Sequence, residues 1–203
     1  MKTRTFLKLI GGTAAAAALA ACTKAPPAAT FQAVDVSGAD YAKGFALTDA
    51  HGKLRTLDEF KGKVVAIFFG YTQCPDVCPT TLAEMAEVKR QLGADGERLQ
   101  TIFVSLDPER DTPEILAAYM ANFDPGFIAL RPSPEQLAAT AKDFKVYYKK
   151  VDGSAPGTSY TLDHSTATYL YDPQGRLRLY ARYGAGSAPL VADIKQLLAE
   201  PTA

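Results

Sequence analysis

Apolar and polar residues alternate in blocks along the chain, and one block is unbroken: Val64 to Phe69 is apolar at every position. A run this short and this free of polar residues predicts a strand covered on both faces. Gly70 to Gln73 interrupt it, and a helical period follows in TTLAEMAEVKRQL, from Thr80 to Leu92. Upstream, FALTDAHGKLRTLDEFKGK predicts two short strands around a turn at Asp49 to Gly52. A helical turn follows, with Thr56 and Glu59 as a capping box. Downstream, Gln100 to Leu106 reads as a second mostly apolar strand, ended by Asp107-Pro108. Thr112-Pro113-Glu114 opens a helix to about Asn122, with proline at the favoured first position. Phe127 to Leu130 is a short strand. Ser133-Pro134-Glu135-Gln136 then combines an N-cap, a first-turn proline and a capping-box glutamine for a helix to about Phe144. Val146 to Val151 reads as a strand. Asp152 to Asp163 reads as a Gly/Ser/Pro/Thr-rich loop, long enough to suggest a function. Ser165 to Tyr171 and Arg176 to Tyr183 make a hairpin around Asp172 to Gly175, and Pro189 to Ala199 a closing helix.

The length of 203 residues, 47% of them hydrophobic, suits one globular domain with a leader. A formal net charge of zero gives no sign of a nucleic-acid surface, so no nucleic-acid partner is expected. The leader has its own pattern: Lys2, Arg4 and Lys8, then an apolar, alanine-rich stretch from Leu9 to Ala21. Residues 1–21 read as a signal peptide, too short for a secure membrane span. Only Arg4 stands where a twin-arginine signal carries a pair, which favours the general secretory route. Leu19-Ala20-Ala21-Cys22 resembles a bacterial lipobox, in which Cys22 is lipidated and becomes the mature N-terminus; ordinary cleavage beside a bystander Cys22 is the alternative. Residues 22–44 are then the lipidated cysteine and a tether containing Pro26 and Pro27, and residues 45–203 the domain. The expected location is the bacterial cell envelope, facing the periplasm and held to the membrane by the lipid.

Of three cysteines, lipidation of Cys22 leaves Cys74 and Cys78, at CxxxC spacing where the buried strand hands over to a helix. Free N–H groups and the helix dipole there favour thiolate over thiol. A disulfide closing so short a loop constrains little of the unfolded chain. A lone local pair in an oxidising compartment is therefore reactive or metal-binding more readily than a staple. If both lie on one helical turn, they rise about 6 Å and share a face. That suits either a chelate or a disulfide, but not both at once.

Strand, CxxxC turn, helix, strand, helix, hairpin and helix is a thioredoxin-like α/β plan: a central mixed β-sheet flanked by helices, with an N-terminal β-hairpin extension. Thioredoxin-like enzymes usually place a cis proline just before the hairpin. Here that place reads Asp163-His164-Ser165-Thr166, so an imidazole stands where a proline would hold a substrate chain.

FFGYTQCPDVCP, SLDPERDTPEIL and DHSTATYLYDPQGR, in that order, resemble the SCO/SenC family of copper-binding proteins that assemble cytochrome c oxidase. The resemblance runs from about Phe45 to the closing helix. It implies copper, Cu(I) or Cu(II), on Cys74, Cys78 and His164, and places the family's loop aspartate on Asp107. It also implies delivery of copper to the binuclear site of cytochrome c oxidase subunit II or another copper protein. Two thiolates and an imidazole suit Cu(I), and with an added oxygen ligand Cu(II); zinc is the rival for the same set.

Alternatives stay open at several positions. Cys74 and Cys78 could serve as the redox pair of a thiol–disulfide oxidoreductase that reduces the target's copper-ligand cysteines, forming a disulfide in the oxidised apo state. A peroxiredoxin-like peroxidase fits the FALTDAHG start, but Tyr71 stands where its threonine belongs. Asp163 is either the acceptor for the second ring N–H of His164 or a plain turn residue. Asp76 is either a charge beside the metal or a first-turn helix acid. Asp107, Glu109 and Arg110 either edge the site or shape the loop, and Tyr71 either shields the site or packs. His51, the other histidine, reads as a solvated turn residue. The long loop gives His164 room to swing.

Overall fold

The computed structural model describes residues 30–152 and 160–201. The expected signal peptide, Cys22 and residues 23–29 of the expected tether lie outside the described residues, as do residues 153–159 of the expected loop. In chain order the strands and helices are β1 (Val34–Asp35), β2 (Ala46–Thr48), β3 (Leu54–Thr56), β4 (Val64–Gly70), α1 (Val77–Leu92), β5 (Leu99–Ser105) and α2 (Pro113–Ala121). They continue with β6 (Ile128–Leu130), α3 (Pro134–Asp143), β7 (Tyr148–Val151), β8 (Thr161–His164), β9 (Thr168–Tyr171), β10 (Leu177–Ala181) and α4 (Ser187–Ala199).

Six strands form one mixed sheet in the order β1-β10-β9-β4-β5-β6. β4, β5 and β6 run parallel, while β9 runs antiparallel to β4 and pairs Thr168 with Phe68. All seven residues of β4 are buried, which explains its continuous apolar run. Alternate side chains serve opposite layers. Val64, Ala66 and Phe68 pack with Leu82, Met85 and Val88 of α1 and Ile194 of α4. Val65, Ile67 and Phe69 pack with Leu137, Ala141 and Phe144 on the α3 side. Each large aliphatic or aromatic side chain so buried stabilises the fold by about 1.5–3 kcal/mol. The thioredoxin-like plan is the fold, and β2 paired antiparallel with β3 is the expected N-terminal hairpin.

Local signals mostly act as read. The Thr112 hydroxyl accepts from the Ile115 N–H, and Ser133 and Gln136 complete a reciprocal capping box. Thr56 makes no side-chain cap, and Glu59, the other half of the expected box, accepts hydrogen bonds from Lys53 and Arg55. The helix after the cysteines begins at Val77 rather than Thr80, so Cys78 lies inside its first turn.

Two further expectations are corrected. The compact unit begins at Phe31, not Phe45. The backbone N–H groups of Gln32 and Ala33 each donate at 2.8 Å to the buried carboxylate of Asp193, and β1 pairs with β10. A tether-like composition thus hides an edge strand that gains its hydrogen bonds only from the far end of the chain. His164, expected on a free loop, ends strand β8, which pairs antiparallel with β7 and matches Tyr148 to His164. Among the described residues no helix is long and apolar enough to cross a membrane.

Candidate metal centre

β4 ends at Gly70, and the chain turns through Tyr71 to Asp76 into α1. Thr72 is pinned in that turn by Asp111, whose carboxylate accepts from its N–H at 3.2 Å and its hydroxyl at 2.6 Å. Cys74 is thereby left half-buried in the turn, while Cys78 points into the core at 0% exposure. Gly70 makes this possible. A Cβ there would fall 2.5 Å from Cys78 Sγ and 2.8 Å from the Phe103 ring.

The third group arrives from the opposite direction. Because β9 is antiparallel to β4, the segment just before β9 lies at the same sheet edge as the end of β4. His164 therefore reaches the thiols, with Nε2 3.8 Å from Cys78 Sγ. Its Nδ1–H donates to the carbonyl of its neighbour Ser165 at 2.8 Å, which leaves the Nε2 lone pair for the site. Asp163, the acceptor considered from sequence, is exposed, and the backbone carbonyl takes that role.

One ligand atom from each of Cys74, Cys78 and His164 lies within 4.8 Å of the other two. Metal–sulfur bonds of about 2.3 Å and metal–nitrogen bonds of about 2.0 Å put neighbouring donors about 3.6 Å apart. A contraction of about 1 Å at the widest pair would therefore close the set around one ion. The donors face an open pocket of about 350 Å³, with Tyr71, Pro75, Asp76 and Thr166 among its walls. A larger cavity of about 450 Å³ holds the exposed His51 and no cysteine, so it takes no part in this chemistry.

Charge is divided unequally between the thiols. The hydrogen bond from Cys78 holds the Cys74 thiol far below the ordinary range. Burial opposes this, and His164 and the backbone N–H groups of Asp76 and Cys78 add to it. Cys78 moves the other way, because it gives its hydrogen to Cys74, is buried, and faces the Cys74 charge. Both directions favour the thiolate on Cys74 and the thiol on Cys78.

The residues left open by the sequence now have places. Tyr71 both packs and shields: it is 2% exposed, its hydroxyl accepts from the Leu162 N–H at 3.3 Å, and its ring meets His164 edge-on at 5.8 Å. Asp107 is buried and accepts from Arg110 and from the Tyr160 hydroxyl, the latter at 2.7 Å. Exposed Glu109 pairs with Lys150. Asp76 occupies the N-cap position of α1 without capping it through its side chain. Asp111 escaped the sequence reading. It is 0% exposed and also accepts from the Ser105 hydroxyl at 2.6 Å, yet in SLDPERD no local signal separates it from an ordinary loop acid.

Fold and site together define the class: a thioredoxin-like domain with a Cys₂His group positioned to bind a metal at the end of its central strand. The chain belongs to the SCO1/SenC family, whose model matches residues 34–199. A SCO2-like protein of Rickettsia felis is 40% identical over 132 residues, covering 65% of this chain and 64% of that protein. The match thus spans a little under two-thirds of that relative's length. Among solved structures, Bradyrhizobium japonicum ScoI with copper bound is 42% identical, with a TM-score of 0.69 over 76% of this chain and 97% of that one. Apo Sco1 from Thermus thermophilus is 38% identical, with a TM-score of 0.73 over 85% of this chain and 99% of that one.

Proposed function

We propose that this chain carries copper on Cys74, Cys78 and His164 and delivers it to the binuclear copper site of cytochrome c oxidase subunit II. It would do so from a lipid anchor at Cys22 on the periplasmic side of a bacterial envelope membrane. The convergence of the three donors carries this reading. Membership of the SCO1/SenC family and the copper bound by the Bradyrhizobium relative support it.

Two sulfurs hold soft Cu(I), and the borderline imidazole completes a site that also accepts Cu(II). Loading displaces the proton of Cys78, so the cargo replaces the hydrogen bond that couples the thiols in the metal-free state. The pocket leaves one side of the donor set open, so a receiving protein's ligands can enter before the donor ligands leave.

The unequal thiols favour a second activity on the same residues. The Cys74 thiolate attacks a disulfide of the target, and one target sulfur leaves as thiolate. Cys78 then loses its proton and attacks Cys74, which releases the second target sulfur. Two electrons pass to the target, and a Cys74–Cys78 disulfide remains.

Metal analysis of the protein, purified reduced with copper present, tests the main reading. One copper per chain is expected. His164→Ala should remove or strongly shift the thiolate-to-Cu(II) absorption while Cu(I) stays on the sulfurs, and His51→Ala should change nothing. Zinc retained in preference to copper, or equal effects from the two histidine variants, would overturn it.

A further inference from the structure

Two segments far apart in sequence must be held together for the donors to meet: the turn carrying Cys74, and the β7–β8 hairpin carrying His164. Arg110 touches both. Its Nη1 donates to the carbonyl of Tyr160 at 2.8 Å and to Oε1 of Gln73, the neighbour of Cys74, at 3.1 Å. Its Nε donates to Asp107, and the Tyr160 hydroxyl donates to that same carboxylate at 2.7 Å. The guanidinium also lies 3.6 Å from the centroid of the Tyr160 ring and 5.8 Å from that of Tyr71. The side chains of Arg110 and Asp107 are 16% and 1% exposed, so water competes little for these contacts.

A neighbouring cation does not do the same work. Lys150 lies 4.5 Å from the Tyr160 ring and pairs with Glu109, but both partners of that pair are exposed, and such pairs contribute little. Arg110 differs because a planar fork donates in several directions while its face stacks on an aromatic ring. An ammonium group cannot reproduce that combination.

We propose that Arg110 is the positioning residue that sets where His164 stands relative to the two thiols, acting through Tyr160 at the entry to β8. The metal-binding consequence rests on the copper reading above, whereas the brace itself belongs to the metal-free fold. Both thiols sit on the β4–α1 segment and need no brace to meet, whereas the imidazole arrives on β8, which is tied to the cysteine turn by the Leu162–Tyr71 hydrogen bond and, through Tyr160, by Arg110. Loss of Arg110 should therefore act on His-dependent coordination and spare the two-sulfur site.

The test uses the full chain with Arg110→Met, Arg110→Lys, Tyr160→Ala and Tyr160→Phe, read in two ways. In metal-free protein, backbone amide exchange at Leu162, Asp163 and His164 should quicken in Arg110→Met and Tyr160→Ala, while exchange in β4 and β9 stays at the wild-type rate. With copper, these two variants should lose about 10- to 100-fold in Cu(II) affinity, as expected when a ligand's orienting partner is removed. Their thiolate-to-Cu(II) absorption should move toward that of His164→Ala, with Cu(I) affinity unchanged. Arg110→Lys should fail to restore the band, and Tyr160→Phe, which keeps ring and carbonyl but loses the hydroxyl bond to Asp107, should lie between wild type and Tyr160→Ala. Wild-type exchange at residues 162–164 together with a wild-type band in Arg110→Met would overturn the proposal. If Arg110→Met does not fold, Tyr160→Ala carries both readouts, and wild-type exchange with a wild-type band in that variant would overturn the proposal equally. Failure of the wild-type chain to bind copper would sink the functional reading, and the exchange measurement would still decide the brace.

Discussion

Nε2 of His164 stands 3.8 Å from Sγ of Cys78, although 86 positions separate them in sequence. The register of one antiparallel pair produces this meeting. Thr168 of β9 lies opposite Phe68 of β4, so the residues just before β9 come level with the turn that follows β4. A slip of one residue would turn the inward side chains of β9 to the other layer and carry the histidine away from the thiols.

The hydrogen bond from Cys78 is the main cause of the low Cys74 pKa, so the two thiols should react very differently. In reduced, metal-free protein, iodoacetamide should label Cys74 and leave Cys78 intact. The rate should be nearly flat from about pH 6 to pH 8, where an ordinary thiol with a pKa of about 8.5 gains close to tenfold per unit. In Cys78→Ala that donor is gone, and the Cys74 rate should regain much of its pH dependence. Peptide mass spectrometry after timed alkylation provides the measurement. Equal labelling of both cysteines would contradict the assignment of the single thiolate.

Gly70→Ala should damage fold and site together. The new methyl would meet Cys78 Sγ and the Phe103 ring well inside contact distance, and neither can retreat in a packed core. A loss of about 1–3 kcal/mol in denaturant unfolding is expected from overpacking. Metal affinity should fall as well, because the sulfur must move. A variant that unfolds and titrates like wild type would show that Cys78 has slack the packing does not reveal.

Asp111→Ala leaves the Thr72 N–H and two hydroxyls without their acceptor, which should cost about 1–3 kcal/mol. Asp111→Asn keeps one oxygen and should cost less, with a pH dependence whose sign follows from the raised pKa, caused chiefly by burial. A carboxyl whose folded pKa lies above its unfolded value stabilises the fold fully below the unfolded pKa, and that contribution is lost as pH rises through the folded pKa. The gap between wild type and Asp111→Asn should thus be widest in acid and narrow toward neutrality. Urea titrations at a series of pH values would show it, and a gap that widens with pH would contradict this account.

Much of the site was legible because its chemistry is local. The CxxxC spacing at a strand–helix junction marks the thiols, and the DHSTATYLYDPQGR resemblance marks His164. The resemblance places the loop aspartate on Asp107, but whether it edges the site or shapes the loop depends on Arg110 and Tyr160, and Tyr160 belongs to another segment. The start of the compact unit is hidden in the sequence for a related reason. Residues 31–44 lack a long apolar run, and their partners, Asp193 and β10, lie about 150 residues downstream.

The sequence by itself determined the layered plan. Alternation and apolar runs dictate which stretches become strands, and first-position prolines and caps dictate where α2 and α3 begin. Those effects act within a few residues, so they can be read from the order of side chains alone. Only the tertiary structure decided which groups share a site: the register that brings His164 to Cys78, the carbonyl of Ser165 that orients the ring, and the buried Asp111 that pins the cysteine turn. Each depends on packing segments that the chain keeps apart. A polar residue carries no local mark of the burial and partners that packing will assign to it.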